Sequence, residues 1–367
     1  MSAALAQLKI NKELLKVLGD KITLLNVNSL TINDSRETQI SNLNKAFKNE
    51  ELVLVLGAGV SVPYNLPSWD NLLQKLLFET FNDFNDNEDA SSVLSKLFPK
   101  LFPNSPLISA RFLEEYFKKH ENDRTFEGMI KDALYERVNR EAASPTLKEI
   151  LQYCIAPGKS PNLDSIITYN YDDVLEKVLL NSNVEIPFKS IYTLGMNPSN
   201  GELPIYHVHG FLPENQVLDE AYSITLSENL YHKQYNDIYS WNNMVQINKF
   251  REKVCIFIGT SLTDPNIRRL LDIAMLQRGD NQKHHYLFKK RNNHKDIEKN
   301  LELILETNEI LLDEKSKANL KLDETAKQLL KKMEEFEELD ANSFGMQVIW
   351  INEYDEIADY LREIRTN

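Results

Sequence analysis

His207 and His209 stand two residues apart in Tyr206-His207-Val208-His209-Gly210. An imidazole changes charge near neutral pH, so a histidine at a strand end beside a glycine is well placed for proton transfer. On a strand, a spacing of two turns both rings to one face. A hydrogen-bonded core histidine and a pair of metal ligands are the other readings of this pair. No Cys, Asp or Glu with ligand-like spacing lies nearby to complete a metal site. Asn170 lies in Ile167-Thr168-Tyr169-Asn170-Tyr171-Asp172-Asp173. Two polar side chains of this segment can face a crevice. One of them is expected to cap a helix, because the apolar run Val174, Leu175, Val178, Leu179 follows. Gly57-Ala58-Gly59-Val60-Ser61 is a glycine turn. Glycines let a backbone approach a pyrophosphate, and exposed N–H groups can cradle it. The third glycine of the dinucleotide fingerprint is missing, so a plain tight turn is the alternative. In Gly259-Thr260-Ser261-Leu262-Thr263-Asp264-Pro265, Thr260 and Ser261 can donate to phosphate or ribose oxygens. Asp264 reads as an N-cap, with Pro265 at the first helical position.

All four segments follow runs that read as strands. Glu51 to Gly57 is short, continuous and apolar, the pattern of a strand buried on both faces. Ser165 to Thr168, Pro204 to Val208 and Val254 to Gly259 look the same, and His285 to Phe288 and Met346 to Ile351 are expected as further strands. Helical patterns lie between several of them. The expected fold is therefore α/β: a Rossmann-like, doubly wound, mostly parallel sheet. Ligands bind such sheets beyond the strands' carboxyl ends, where these loops converge.

Two long stretches interrupt the core. Residues 72–161 read as a large helical insertion, with Pro99, Pro103 and Pro106 marking a break inside it. Residues 295–340 are rich in Glu, Lys and Leu and free of Pro and Gly, so they are expected to be helical with a solvated charged face. An arm over residues 1–45 carries Leu8, Ile10, Leu14, Leu15 and Leu18 roughly on one helical face and is a candidate for self-association. Residues 46–367 then form the nucleotide-binding domain.

The 367 residues are 42% hydrophobic, enough to bury a sizeable core. The net charge of −13 repels phosphate backbones, so no direct nucleic-acid binding is expected. The two cysteines, Cys154 and Cys255, form neither a disulfide framework nor a Cys-x-x-Cys zinc pair. No run approaches the roughly 20 apolar residues of a membrane span, and the N-terminus has no signal pattern. A cytoplasmic protein without membrane contact is the expectation.

Taken in order, GAGVS, TYNYD, HVHG and GTSL resemble the sirtuin fold family. The match to eukaryotic protein deacylases is partial, since those carry a zinc ribbon held by four cysteines. LPSWDNLL, ITYNYDDVLE, YHVHGFLP and GTSLTDPNIRRLL are similar to the bacterial sirtuin-like NAD+ hydrolases of antiphage defence. So is a helical insertion in place of the zinc module. The resemblance covers roughly residues 50–290, and the strand near 346–351 extends it.

The resemblance implies NAD+ as substrate, cleaved to nicotinamide and ADP-ribose, with no metal. It implies that Gly57, Ala58, Gly59 and Ser61 line the phosphates, and that Gly259, Thr260 and Ser261 contact the dinucleotide. Asn170 would hold the ribose and orient water, with Asp172 supporting its loop and Thr168 beside it. His209, the histidine followed by glycine, takes the catalytic place, and His207 is left without a role. In that family such enzymes deplete NAD+ once phage is sensed, so the resemblance implies control by homo-oligomerisation and by a separate partner of the HerA-type ATPase class. An NAD-dependent deacylase is one alternative. A non-catalytic sensor of NAD+ or ADP-ribose is the other.

Overall fold

The run Leu52-Val53-Leu54-Val55-Leu56 forms a strand in which all five side chains are buried. Such a strand needs cover on both faces, which helices of a parallel sheet provide. The computed structural model describes residues 33–80, 106–120, 124–155, 162–218, 222–279, 283–307 and 321–367. In chain order these form α1 (Arg36–Lys48), β1 (Leu52–Leu56), α2 (Trp69–Glu79), α3 (Pro106–His120), α4 (Phe126–Tyr135), α5 (Pro145–Cys154), β2 (Leu163–Thr168) and α6 (Val174–Leu180). There follow β3 (Phe188–Ile191), β4 (Leu203–His207), α7 (Glu228–Asn236), α8 (Trp241–Glu252), β5 (Val254–Ile258) and α9 (Pro265–Arg278). The last elements are β6 (His285–Lys290), α10 (His294–Thr307), α11 (Leu322–Ser343), β7 (Met346–Ile351) and α12 (Glu356–Thr366).

The chain forms two compact units. The larger takes residues 35–288 and 355–367. Its strands lie in the order β3-β4-β2-β1-β5-β6, and every pairing among them is parallel. Helices α1, α5, α6 and α12 pack together as one layer, while α8 and α9 form another with α7 against α9. This is the doubly wound, Rossmann-like α/β fold expected from the sequence. After β1 the chain builds β2 and β4 on one side and returns to place β5 and β6 on the other. The strand order thus reverses at β1, and the carboxyl edge there is where such folds bind ligands.

Five of the six expected strands begin or end within two residues of the observed ones, and Met346–Ile351 coincides. β3 was not expected. It lies at the sheet edge, three of its four residues are only half-buried, and Phe-Lys-Ser-Ile offers no continuous apolar run. Within the insertion, α2 starts at Trp69, three residues before the expected boundary, because Ser68 caps it through the Asn71 N–H. Pro106 opens α3 rather than lying in a break, which suits a residue with no N–H to lose. Pro99 and Pro103 lie outside the described residues. Helices α2, α3 and α4 share a buried cluster with Phe211, Leu212, Ile224 and Leu226, and Trp69 and Tyr171 pack against its edge. The insertion therefore reaches the loops beyond β2 and β4.

The smaller unit takes residues 289–354 together with Asn33 and Asp34 among the described residues. There α10 and α11 pack on each other and α11 packs on β7. Charged residues of α11 pair with Lys289, Arg291 and the Trp350 indole. Two of these three contacts are part-buried, so this part of the charged helix packs on its own unit rather than presenting only the solvated face expected. Residues 308–320 of the expected helical segment lie outside the described residues. The apolar residues Leu8 to Leu18 of the expected N-terminal arm do too. Residues 36–45 of that arm belong to α1, which packs on β1 and α12.

Candidate active site

Loops following β1, β2, β4 and β5 all leave the carboxyl edge of the parallel sheet. The first and last of them touch backbone to backbone. Gly57 N–H donates to Ile258 O at 3.0 Å and Gly59 N–H to Gly259 O at 2.9 Å. A Cβ on Gly57 would stand 2.6 Å from Gly259 O, and one on Gly59 would stand 2.7 Å from Gly259 Cα. Gly259 itself has φ +70°, and its Cβ would meet Val60 N at 2.7 Å. These three glycines are thus explained by loop packing before any ligand is considered. Val60 N–H and Ser61 N–H are also bonded, to Gly57 O and Ala58 O. The expectation of a row of exposed N–H donors is therefore corrected. Among the described residues, four of the five N–H groups from Gly57 to Ser61 bond the protein's own backbone, leaving that of Ala58, which is exposed. Thr260 lies against Gly57, and its Oγ1 accepts from Leu262 N–H at 3.3 Å. Ser261 is exposed, its hydroxyl 2.8 Å from that of Thr263.

Asn170 sits two residues past β2 and is held from three sides. Its N–H donates to Thr168 Oγ1 at 3.1 Å, and its carbonyl lies 3.2 Å from His207 Nδ1. Its Nδ2 donates to Ser61 Oγ at 3.1 Å, and the Ser61 hydroxyl donates to Asp172 Oδ1 at 3.1 Å. Ser61 and Asp172 are buried and Asn170 is at the margin of burial. The direction of this chain is fixed chemically. An ionised carboxylate only accepts, so Ser61 must give its proton to Asp172 and receive one from the Asn170 amide. Of the four polar groups of Asn170, Oδ1 alone keeps no partner among the described residues. Asp172 Oδ1 also accepts Val174 N–H at 3.1 Å, which makes Asp172 the side chain that caps α6. Asp173 accepts instead from Glu214 N–H and the Tyr135 hydroxyl. Burial pushes the Asp172 carboxyl up to about 6. The cavity bordered by this network is about 10 Å³, roughly the room one water needs.

The two histidines part company. β4 ends at His207, so the period-two geometry that would carry both rings to one face stops there. His207 turns to α6 and places Nε2 2.7 Å from Glu176 Oε1. His209 lies in the turn beyond, where Gly210 has φ +102° and a Cβ would stand 2.1 Å from Ser223 O. The His209 ring meets the edges of Tyr169 and Tyr231, at 4.9 and 5.6 Å between centroids. Its buried Nε2 has no hydrogen-bond partner among the described residues and stands 3.8 Å from Asp264 Oδ2. Burial lowers the pKa of His209, and the Asp264 charge pulls weakly the other way, so the ring is a neutral base. Asp264 caps α9 through Oδ1, as expected, and its Oδ2 receives the Tyr231 hydroxyl at 2.5 Å. The Trp69 indole stacks on Tyr231, and its buried N–H also lacks a partner among the described residues. Two buried ring nitrogens around one tyrosine thus lack a hydrogen-bond partner among the described residues, and each calls for one.

The structure therefore gathers Gly57, Gly59, Gly259 and Thr260 into one contact and Ser61, Thr168, Asn170 and Asp172 into another. His209 joins them through Tyr169, the neighbour of Asn170, rather than through a bond to either group. Among the described residues no three His, Cys, Asp or Glu side chains are grouped to hold a metal ion. Both cysteines are free and buried.

Residues 164–312, which include the loops after β2, β4 and β5, match the SIR2-like domain family. The chain is 24% identical over 332 residues to the NAD(+) hydrolase ThsA of Enterococcus faecium, covering 90% of this chain and 58% of that protein. It is 22% identical over 348 residues to the NAD(+) hydrolase ThsA of Bacillus cereus (strain MSX-D12), covering 92% of this chain and 59% of that protein. The chain thus spans under two thirds of the length of these relatives. Sequence reasoning missed Glu176, Tyr231 and Trp69 at this site. Glu176 carried a signal, as an acid inside the apolar run that begins α6. Tyr231 carried none, being 33 residues from the Asp264 it bonds.

Proposed function

We propose that this chain is an NAD+ glycohydrolase, releasing nicotinamide and ADP-ribose. The observation that carries the proposal is a neutral, unpartnered His209 Nε2 beside the loop that offers Asn170 Oδ1. The similarity to proteins named NAD(+) hydrolase supports it. The nicotinamide–ribose bond breaks with its electron pair going to the ring nitrogen, so the pyridinium leaves as neutral nicotinamide. A water oxygen bonds to the ribose carbon and gives up a proton. Asn170 Oδ1 can accept from that water or a ribose hydroxyl, and neutral His209 can take the proton. With a good leaving group already present, the work left for the protein is to place these groups and exclude bulk water. Each is buried and held by the protein.

Cellular NAD+ is essential, so the proposal includes restraint of this activity. We include homo-oligomerisation and a separate partner of the HerA-type ATPase class, with antiphage defence as the setting. The test is incubation with NAD+ alone and with an acyl-lysine peptide. Peptide-independent release of nicotinamide with stoichiometric ADP-ribose is expected. Release that requires the peptide would make the protein a deacylase.

A further inference from the structure

His207 is 1% exposed and has no part in the chemistry above. Its surroundings are nonetheless costly to build. Nδ1 faces the Asn170 carbonyl at 3.2 Å, and a carbonyl can only accept, so Nδ1 carries a proton. Nε2 faces Glu176 Oε1 at 2.7 Å, the length of a charge-assisted bond, so one further proton lies between ring and carboxylate. The same Oε1 accepts the Ser190 hydroxyl from β3 at 2.8 Å, while Glu176 Oε2 is buried with no partner among the described residues. Burial works to raise the Glu176 pKa, and His207 and Ser190 outweigh it and hold the carboxyl below its ordinary value. Phe211 packs against the imidazole, 4.1 Å between centroids.

A buried ion pair is weak evidence for stability, since apolar residues of the same volume often do as well or better. One with an orphaned oxygen is poorer still. What this pair does achieve is geometric. It holds the carbonyl of the residue whose amide N–H is held by Thr168 and whose side chain is held by Ser61. We propose that His207 and Glu176 are positioning residues that pin the Asn170 peptide and so aim Asn170 Oδ1 at the scissile bond. The proposal rests on the NAD+ glycohydrolase reading. Neither residue touches the reacting atoms; Glu176 keeps the His207 ring in the orientation that presents Nδ1–H.

The test uses the full chain and measures kcat and KM for nicotinamide release, with folding checked by thermal unfolding. His207→Leu is expected to lower kcat by about 10- to 100-fold, the scale of a misplaced catalytic group, and to move KM less than kcat. His207→Asn puts an amide N–H where Nδ1–H stands, and it is expected to recover most of that loss. Glu176→Gln can still bond the ring and is expected to be milder than His207→Leu. The double variant His207→Leu with Asn170→Ala is expected to be no slower than Asn170→Ala alone, because both act through one group. Multiplicative losses, or a folded His207→Leu with wild-type kcat, would overturn the proposal. If His207→Leu does not fold, His207→Asn decides: a folded His207→Asn as slow as Asn170→Ala also overturns it. Amide hydrogen exchange over Tyr169 to Asp172 separates this proposal from the reading beneath it. Exchange should quicken in His207→Leu and be restored in His207→Asn. If it does so while the wild type never cleaves NAD+, the glycohydrolase reading fails and the pinning stands. If exchange is unchanged, the pinning fails whatever the activity.

Discussion

Asp172→Asn separates the stability of this fold from its function. Asp172 Oδ1 accepts from Ser61 Oγ and from Val174 N–H, and an asparagine oxygen can accept both. Only the charge is lost. The Asp172 carboxyl is raised by burial from its ordinary 3.8 to about 6, with the Ser61 and Val174 bonds opposing the rise. A raised folded pKa gives stability that is fully present below the unfolded pKa and lost as pH rises through the folded one. Above pH 6 the wild type therefore carries the cost of a buried charge. Roughly two pKa units at about 1.36 kcal/mol each put that cost near 3 kcal/mol at pH 7.5 and near 1 kcal/mol at pH 4.5. Urea unfolding at the two pH values reads the difference. Asp172→Asn should be more stable than wild type at pH 7.5, and its advantage should shrink by about 2 kcal/mol at pH 4.5. The same substitution should slow NAD+ cleavage by about tenfold or more, because a neutral partner no longer obliges Ser61 to orient the Asn170 amide. An advantage that is equal at the two pH values would refute the assigned titration. Unchanged cleavage would refute the orienting chain.

Gly259→Ala forces a side chain into a left-handed position 2.7 Å from Val60 N; thermal unfolding should show a loss of at least about 1–3 kcal/mol. Asp264→Asn keeps a good helix cap but removes the charge that raises the His209 pKa, so the acid limb of the pH–rate profile should move to lower pH. A move to higher pH would contradict the pairing of these groups. Prolonged dialysis against EDTA should leave nicotinamide release undiminished, as measured by chromatography.

The sheet was legible because its central strands are unbroken apolar runs ended by glycine or small polar residues, as in Leu52–Leu56 and Val254–Ile258. β3 was not, since an edge strand with half-buried residues leaves no such run. The cap at Asp264 could be read from Pro265, yet its second oxygen, which faces Tyr231 and His209, could not. That contact joins residues far apart in sequence, and no local spacing encodes it. The same holds for His207: period two is a property of strands, and β4 stops at that residue. Gly57 and Gly59 were read as room for a phosphate. In the fold they make room for Gly259, a demand that becomes visible only once β1 and β5 are neighbours.

The central claim is that Asn170 and His209 together cleave the nicotinamide–ribose bond. Chromatography of NAD+ and its products, with wild type, Asn170→Ala and His209→Ala at equal folded concentration, tests it most directly. The account predicts nicotinamide and ADP-ribose from the wild type and a rate at least about 100-fold lower in each variant, the lower end of the range for positioned acid–base groups. Full activity in folded His209→Ala, or no NAD+ loss from wild type in any state of assembly, would contradict it.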